Sequence, residues 1–342
     1  MTALEFAIVI IAVALVFDFV NGWHDSANSI ATVVATRVLS PGAAVIWAAF
    51  FNFIAFLVFG TFVAKTIGGD LIRISTIEPE WRMWTLLCAL IGATLWDVVT
   101  WYFGLPSSSS HALVGSLAGS AIAANHGIEN LLIVQGWVKI IAFIVISPLL
   151  GMLLGSGIMV GVSWLCRHWT PARVDRRFRH LQLVSAALYS LGHGGNDAQK
   201  TMGIIASVLV ASSLNEQATS QIPLWVVLAC HAAMGLGTLS GGWRIVRTMG
   251  HGITRLRPAG GFAAESAGAA TLFLATWGGI PVSTTHTITG AIVGVGSVRR
   301  VSAVRWGTAR TVVWAWVLTL PAAAALGSGS FLICEGAFRW LR

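Results

Sequence analysis

Residues 21–28 (NGWHDSAN) interrupt the first apolar stretch of the chain, and residues 104–111 (GLPSSSSH) follow later in the same half. The pair returns in the second half as residues 193–200 (HGGNDAQK) and 279–286 (GIPVSTTH). Each motif places charged or hydroxyl-bearing side chains inside sequence that is otherwise apolar enough for lipid. Because such groups are expensive in a membrane, the four motifs predict a functional site.

The two motif pairs are separated by nearly the same distance along the chain. Asp197 follows Asp25 by 172 residues (197 − 25), and His286 follows His111 by 175 residues (286 − 111). Two different motifs, repeated in the same order at almost the same spacing, indicate an internal duplication. We therefore expect two halves of similar architecture, each of which contributes one motif of each kind.

Composition places the chain among integral membrane proteins. It has 342 residues, of which 56% are hydrophobic and only 10% are charged, whereas a soluble domain carries about 25% charged residues. A transmembrane helix needs about 20 apolar residues. The stretches of sufficient length are residues 3–20, 43–64, 83–103, 137–165, 222–243, 262–280 and 308–334. The four cysteines lack paired or metal-type spacing, so we predict no disulfide framework, no metal site and no cofactor.

The net charge of +8 comes from arginines that cluster at the borders of the apolar stretches. Positive loops of membrane proteins stay in the cytoplasm, so we interpret these clusters as topogenic rather than as a nucleic-acid-binding surface. This places the basic linker, residues 166–181, inside the cell and the N-terminus outside. The first transmembrane repeat is then residues 1–165 and the second is residues 182–342. An odd number of crossings between the repeats would make them inverted.

The spacing of the spans predicts interrupted helices. As one straight helix, residues 5–38 would reach about 50 Å, well beyond a hydrocarbon core of about 30 Å. We therefore expect a break near Gly22–Asp25, of the kind that builds transporter sites. Residues 106–124 and 281–296 are short for full crossings and predict re-entrant helical hairpins. The predicted fold is an all-α integral membrane protein of two inverted repeats, with discontinuous helices and re-entrant helical hairpins.

The two hydroxyl motifs favour an anion site. Each places three consecutive Ser or Thr residues after a proline at a helix start, where backbone N–H groups lack partners and the helix dipole is positive. The alternative is helix capping with hydroxyls that bond back to the helix. If the chain had only one hydroxyl motif, helix capping would be the better interpretation. Because the motif occurs twice and ends in histidine each time, we favour an anion site. The residues concerned are Ser108, Ser109, Ser110, Ser283, Thr284 and Thr285.

Asp25 and Asp197 occupy equivalent positions in the acidic motifs. Each could bind a coupling cation, accept a proton or accept a hydrogen bond from a protonated anion, with helix capping as the alternative. HPO₄²⁻ has a proton to donate and SO₄²⁻ has none, which favours phosphate. Lys200 aligns with Asn28, and its ammonium could occupy the place of a bound cation, which favours proton over sodium coupling. His24 is a candidate proton carrier or a hydrogen-bonded packing residue.

The four motifs resemble those of the inorganic phosphate transporter family, which includes Na⁺-coupled and H⁺-coupled phosphate symporters and a few sulfate permeases. The resemblance covers essentially the whole chain. It implies an inverted-repeat helical fold with re-entrant hairpins that meet at a central anion site, often in a dimer. By position, it also implies that the site is lined by Asp25, Asn28, Asp197 and the six hydroxyl residues, and that Glu265 matches an acidic residue of the family's second half.

Three residues depart from the family's pattern: His24 and Lys200 replace asparagines, and Asn52 replaces a glutamate. These departures resemble the bacterial, H⁺-coupled, low-affinity branch, which implies an inner-membrane location and a neutral divalent metal–phosphate complex as a possible substrate. The residues that we predict to bind substrate are the six hydroxyl residues, Asn28 and Lys200. Those that we predict to couple ions or protons are Asp25, Asp197, Glu265 and His24.

The sequence thus predicts a secondary active transporter, not an enzyme, that imports phosphate with protons by alternating access. The alternatives are a sulfate permease of the same fold, a Na⁺-coupled phosphate symporter and an anion channel. A serine nucleophile is disfavoured because adjacent helical positions, such as Ser110 and His111, do not face each other. Asp97 has no acidic counterpart in the second half. It could take part in proton transfer, lie near an interface or pair with a nearby arginine.

Overall fold

The protein is almost entirely helical. A computed structural model describes the backbone of residues 2–341 and their side chains except those of residues 251, 299 and 341. These residues form twelve α-helices, which confirms the all-α prediction. In chain order they are α1 (Ala3–Ala35), α2 (Pro41–Ile54), α3 (Phe62–Gly69), α4 (Pro79–Phe103), α5 (Ser109–Ala124), α6 (Val134–Leu165), α7 (Pro171–Ala211), α8 (Leu224–Ser240), α9 (Trp243–Gly252), α10 (Pro258–Trp277), α11 (Thr284–Arg299) and α12 (Trp306–Leu341).

Long apolar helices and two bent pairs supply the membrane spans. Among the described residues, α1, α4, α6 and α12 are each long and apolar enough to cross a membrane. The segment Pro41–Leu57 meets α3 at 82°, and α8 meets the start of α9 at 73°. The prediction of a multi-span protein with discontinuous helices is therefore confirmed. The first bend lies within residues 43–64 and the second at the end of residues 222–243. The apolar composition of these two stretches does not distinguish them from straight spans.

The predicted break near Gly22–Asp25 is wrong, because α1 runs unbroken through this motif and α7 runs unbroken through its counterpart. The motif glycines serve close helix crossings instead. A Cβ at Gly22 would lie 2.2 Å from the backbone oxygen of Met234, and one at Gly194 would lie 2.4 Å from that of Asn52. The length of α1 is tolerated because most of its second half is buried in protein rather than in lipid.

The basic segment 166–181 is mostly helical rather than a loop. Helix α6 ends at Leu165 and α7 begins at Pro171, where the Thr170 side chain accepts a hydrogen bond from the backbone N–H of Arg173. A proline at the first helical position and a threonine cap are both helix-start signals. The non-helical connection between α6 and α7 is therefore only residues 166–170.

Helices α5 and α11 each pack against the last helix of the opposite half. A Cβ at Gly115 on α5 would lie 2.6 Å from the backbone oxygen of Leu320 on α12, and one at Gly290 on α11 would lie 2.1 Å from that of Pro148 on α6. The glycines are 175 residues apart (290 − 115) and their partners 172 (320 − 148). The two contacts are therefore equivalent, which supports the duplication inferred from the motifs.

The two helices that carry the acidic motifs, α1 and α7, pack side by side and run antiparallel. Near the end of α1, the Thr36 hydroxyl donates to the side-chain oxygen of Gln182 near the start of α7, at 2.9 Å. Earlier on α1, the Ser29 hydroxyl lies 3.2 Å from Nδ1 of His193, which is further along α7. This seam holds the polar side chains of both acidic motifs within the protein.

A methyl group added at a glycine crossing should destabilise the protein. A Cβ at Gly119 would lie 2.0 Å from the backbone oxygen of Ala324, so Gly119→Ala must push α5 and α12 apart. Overpacking of this kind costs about 1–3 kcal/mol, and we expect a lower midpoint of thermal unfolding in detergent, measured by tryptophan fluorescence.

The matched control for that experiment is Gly161→Ala on α6, since nothing lies within 4 Å of its Cβ position. Alanine favours a helix over glycine by about 1 kcal/mol, so this variant should unfold at the wild-type temperature or slightly above it. Equal midpoints for the two variants would contradict the close crossing of α5 and α12.

Candidate functional site

The starts of α5 and α11 meet at the centre of the protein. The ring centroids of His111 and His286 lie 4.7 Å apart, and the Ser110 hydroxyl donates to the backbone oxygen of Val282 at 3.3 Å. The first turn of each helix presents backbone N–H groups without helical partners, at the positive end of the helix dipole. The structure thus brings the two hydroxyl motifs into one donor-rich centre.

Each hydroxyl motif divides its side chains between helix capping and this centre. The hydroxyls of Ser108 and Ser283 each accept a hydrogen bond at 3.2 Å from the backbone N–H three residues further on, so both residues are N-caps. The hydroxyls of Ser110, Thr284 and Thr285 instead contact side chains of α1 and α7. The buried Ser109 hydroxyl has no hydrogen-bond partner within residues 2–341.

Side chains from α1 and α7 each reach the hydroxyl motif of the opposite half. Asn28 donates from Nδ2 to the hydroxyls of Thr284 at 3.2 Å and Thr285 at 2.9 Å. In the equivalent place, Lys200 donates from Nζ to the Ser110 hydroxyl. The aligned residues Asn28 and Lys200 therefore make equivalent contacts, each with the hydroxyl motif of the other half. Asn28 uses an amide and Lys200 an ammonium.

The Asp197 carboxylate is surrounded by donors. Lys200 donates to its Oδ1, and the Thr284 hydroxyl donates to its Oδ2 at 3.1 Å. Nε2 of His193 lies 3.3 Å from the same Oδ2. Lys200 also donates to the backbone oxygen of Val282 at 2.9 Å. A buried charge needs an opposite charge and further hydrogen bonds, and the Lys200–Asp197 pair has both.

The Asp25 carboxylate begins a chain of hydrogen-bonding groups. Nδ1 of His24 lies 2.7 Å from Oδ1 of Asp25, and Nε2 of the same ring lies 3.0 Å from the Thr100 hydroxyl. The Ser107 hydroxyl donates to Thr100 at 2.8 Å. A continuous polar path therefore connects the first acidic motif with the start of the first hydroxyl motif.

Three side chains at the centre are close enough to hold a cation together. The ligand atoms of Asp25, His193 and Asp197 lie within 4.8 Å of one another, and carboxylate and imidazole groups are common cation ligands. Lys200 already contributes a positive charge at the Asp197 side of this group. His193 is not among the site residues predicted from the sequence. The sequence could have indicated His193, because it lies four residues before Asp197 and residues at this spacing share a helix face.

Glu265 lies in a second buried cluster next to the centre. Its Oε1 accepts hydrogen bonds from the Thr32 hydroxyl at 2.6 Å and from the Gln182 amide at 2.9 Å, and its Oε2 accepts one from Ser185 at 2.5 Å. Thr32 is one helical turn beyond Asn28 on α1. The structure therefore places Glu265 beside the central group along α1, in contact with both α1 and α7.

Two further intramembrane polar residues have distinct surroundings. Asn52 donates to the Thr238 hydroxyl at 3.0 Å, and its Oδ1 lies 3.2 Å from Nδ1 of His193, so it joins α2 to α8 and α7. Asn52 therefore links three helices through its side chain. Asp97 is fully buried and faces His24 and Ser109, which places it inside the protein beside the centre.

The centre is closed in this structure. All twelve residues that the sequence predicts for the site are buried, and the most exposed, Ser110, has only 4% of its surface accessible. The hydroxyls, Asn28 and Lys200 contact one another across the two halves. These groups are therefore shielded from the surrounding medium in this conformation.

Comparison with known proteins gives the same picture along the whole chain. A profile of the phosphate transporter family matches residues 21–327. A Rhizobium meliloti (strain 1021) protein named "Probable low-affinity inorganic phosphate transporter" is 58% identical over 93% of each chain. A Bacillus subtilis (strain 168) protein of the same name is 45% identical over 97% of this chain and 98% of its own.

A solved structure gives independent support at the level of the fold. The structure named "The sodium-dependent phosphate transporter" matches with a TM-score of 0.89 and 25% identity, over 97% of this chain and 99% of the other. The family profile includes all four motifs, and the relatives are similar over nearly the full length of the chain. With its apolar spanning helices and its paired motifs, this chain belongs to the phosphate transporter family and is a multi-pass membrane protein.

Proposed function

We propose that this protein imports inorganic phosphate together with protons by alternating access. The observation that carries the proposal is the reciprocal arrangement at the centre, where Asn28 from one half and Lys200 from the other hold the hydroxyl motifs of two facing helix starts. This set offers hydroxyl, amide, ammonium and backbone N–H donors to one oxyanion. Family membership supports phosphate as that oxyanion.

Phosphate binds by taking over donors that the closed protein uses internally. Asn28 leaves Thr285 and Lys200 leaves Ser110, so that all four side chains can donate to phosphate oxygens. The exchange replaces hydrogen bonds instead of leaving buried groups unpaired, which would cost free energy. Asp197 accepts a hydrogen bond from the proton-bearing oxygen of HPO₄²⁻. Sulfate has no such proton, and this difference supports phosphate over sulfate.

The coupling ion in this proposal is a proton. The Lys200 ammonium already pairs with the Asp197 carboxylate, and a sodium ion bound at the same carboxylate would meet repulsion and lose its hydration. Asp25 pairs with the imidazole of His24 instead of a fixed ammonium, and we assign proton coupling in the first half to this pair. The buried Glu265 cluster extends the coupling groups along α1.

Sodium coupling is the second candidate. The name of the solved relative includes sodium, and the grouping of Asp25, His193 and Asp197 is suited to a cation. The same three groups could also receive a divalent metal that travels with phosphate as a neutral complex. Both possibilities are open to direct measurement, because each makes transport depend on a different cation in the medium.

Alternating access follows from two halves that rock about the centre. We propose that residues 1–165 and 182–342 are inverted repeats, and the antiparallel course of α1 and α7 supports this. The arginines of residues 166–181 support a cytoplasmic position for this linker. An inner-membrane location and a homodimer are proposed from the family resemblance.

The proposal is tested by uptake of radiolabelled phosphate into proteoliposomes under an inward proton gradient. Parallel samples contain Na⁺, Mg²⁺ or excess sulfate. We expect accumulation that follows the proton gradient, persists without Na⁺ and resists sulfate. Accumulation that requires Na⁺ would favour the second candidate, and displacement by sulfate would indicate a sulfate permease. Equilibration without accumulation would indicate an anion channel.

Removal of either central carboxylate should abolish coupled uptake. Asp25→Asn and Asp197→Asn keep the shape of the side chain but remove its charge and its proton-binding oxygen. We expect proton-driven uptake to fall by about 10- to 100-fold, because coupling free energies between sites usually correspond to changes of this size. The control is Asp175→Asn, which changes an exposed carboxylate on α7. Wild-type uptake by both central variants would exclude these carboxylates from coupling.

Replacement of Lys200 should alter the ion dependence of transport. Lys200→Asn gives the second acidic motif the amide that Asn28 supplies in the first, and it leaves Asp197 without its ammonium. We expect phosphate uptake by this variant to be stimulated by Na⁺, in the same vesicle assay. Lys139→Asn, at an exposed position on α6, is the matched control. An unchanged dependence on protons, with no response to Na⁺, would contradict the role given to Lys200.

A further inference from the structure

One face of α1 is polar over most of the width of a membrane. Near the N-terminus this face is apolar, with Ala7, Ile10, Ala14 and Phe17 buried. From Asp18 onward a buried polar residue recurs every three or four positions: Asp18, Asn21, Asp25, Asn28, Thr32 and Thr36. This polar stretch is about 27 Å long at 1.5 Å per residue, and a hydrocarbon core is about 30 Å thick. The central groups occupy only its middle.

Asp18 begins this polar face, and the mechanism above does not use it. Its side chain is completely buried, and neither carboxyl oxygen has a hydrogen-bond partner among residues 2–341. Asn21 on α1, Thr201 on α7 and Cys230 on α8 are its polar neighbours, and they interact with the carboxyl without reaching normal hydrogen-bond geometry. Oδ1 of Asn21 and the Thr201 hydroxyl likewise lack partners in this part of the chain. Such a group of unsatisfied buried oxygens needs an explanation, because buried polar atoms are normally paired.

The charges around Asp18 favour a bound proton as that explanation. The titratable groups that face Asp18 are the Cys230 thiol and the Asp197 carboxylate, and neither is a cation. Asp197 has Lys200 as its own partner. An ionised carboxylate without a positive neighbour is costly to bury, whereas the neutral acid is not. Intramembrane acids in such surroundings are typical of proton relays in transporters.

We propose that Asp18 is a second proton-binding site of the transport cycle, separate from the phosphate centre. This inference rests on the proton coupling proposed above. A proton from water binds one Asp18 oxygen while the polar face is open to the outside, and it leaves that oxygen for water when the face is open to the inside. One O–H bond forms and one breaks in each cycle. About 10 Å of α1 separates Asp18 from Asp25, so the two carboxyls are distinct sites.

The test is Asp18→Asn in proteoliposomes, since the amide resembles a permanently protonated carboxyl. Three quantities are measured: phosphate accumulation under an inward proton gradient, acidification of the lumen reported by a trapped pH dye, and exchange of internal for external labelled phosphate without a gradient. We expect the first two to fall by about tenfold or more. Exchange requires no net release of a proton, so it should stay within about twofold of the wild-type rate.

Two further variants make this experiment specific. Glu5→Gln changes an exposed carboxylate on the same helix and should leave all three quantities at wild-type values. Asp18→Glu retains a carboxyl group and should keep proton-driven accumulation well above that of Asp18→Asn. This comparison separates proton binding from packing, because glutamate alters the shape of the site more than asparagine does.

The outcomes distinguish this inference from the proposed function. Wild-type accumulation and acidification by Asp18→Asn, with a proton-driven wild-type protein, would overturn only the role of Asp18. Loss of exchange together with accumulation in Asp18→Asn, without recovery in Asp18→Glu, would also overturn it, because the residue would then act in packing. A wild-type protein driven by Na⁺ and not by protons would refute the proposed coupling, and the Asp18 site with it.

Discussion

The ammonium of Lys200 is the contact on which the centre of the protein depends. It donates to the Asp197 carboxylate on its own helix, to the Ser110 hydroxyl of one half and to the Val282 backbone oxygen of the other. Alone, neither the ammonium nor the carboxylate could be buried without a large cost in free energy. Together they let the two helix starts close on α1 and α7. In the proposed mechanism a bound anion competes with Asp197 for the same ammonium, which couples anion binding to the position of the helices.

Much of the architecture could be predicted because the duplication is visible in the spacing of both kinds of motif. The spacing of the acidic and hydroxyl motifs indicated two similar halves, and the reciprocal crossings of Gly115 and Gly290 are their three-dimensional counterpart. The site of helix interruption could not be predicted in this way. Gly22 within a polar stretch is compatible with a break or with a close crossing, and only the opposing backbone of Met234 distinguishes the two. One actual bend follows Gly241, whose φ of 69° suits glycine and ends a helix.

For the candidate site, the sequence indicated the residue types but not their partners. Ser108 and Ser283 look like the other hydroxyls of their motifs, yet the structure uses both as helix caps. Lys200 was aligned with Asn28, but its contact with Ser110 joins residues 90 positions apart. The cluster around Glu265 likewise comes from α1 and α7. Such pairings depend on tertiary packing, which periodicity along one chain does not contain.

The exchanged packing of α5 and α11 also constrains how the protein is assembled. Helix α5 leaves the ribosome long before α12, and its crossing with Leu320 joins positions 205 residues apart (320 − 115). Closure of so long a loop has an entropic cost that must be met before the contact can form. Until α12 has been inserted into the bilayer, α5 has no partner for its glycine face, and the first hydroxyl motif is not held in place. A chain interrupted before α12 would therefore lack this contact of α5, and the first hydroxyl motif would lose one of its supports.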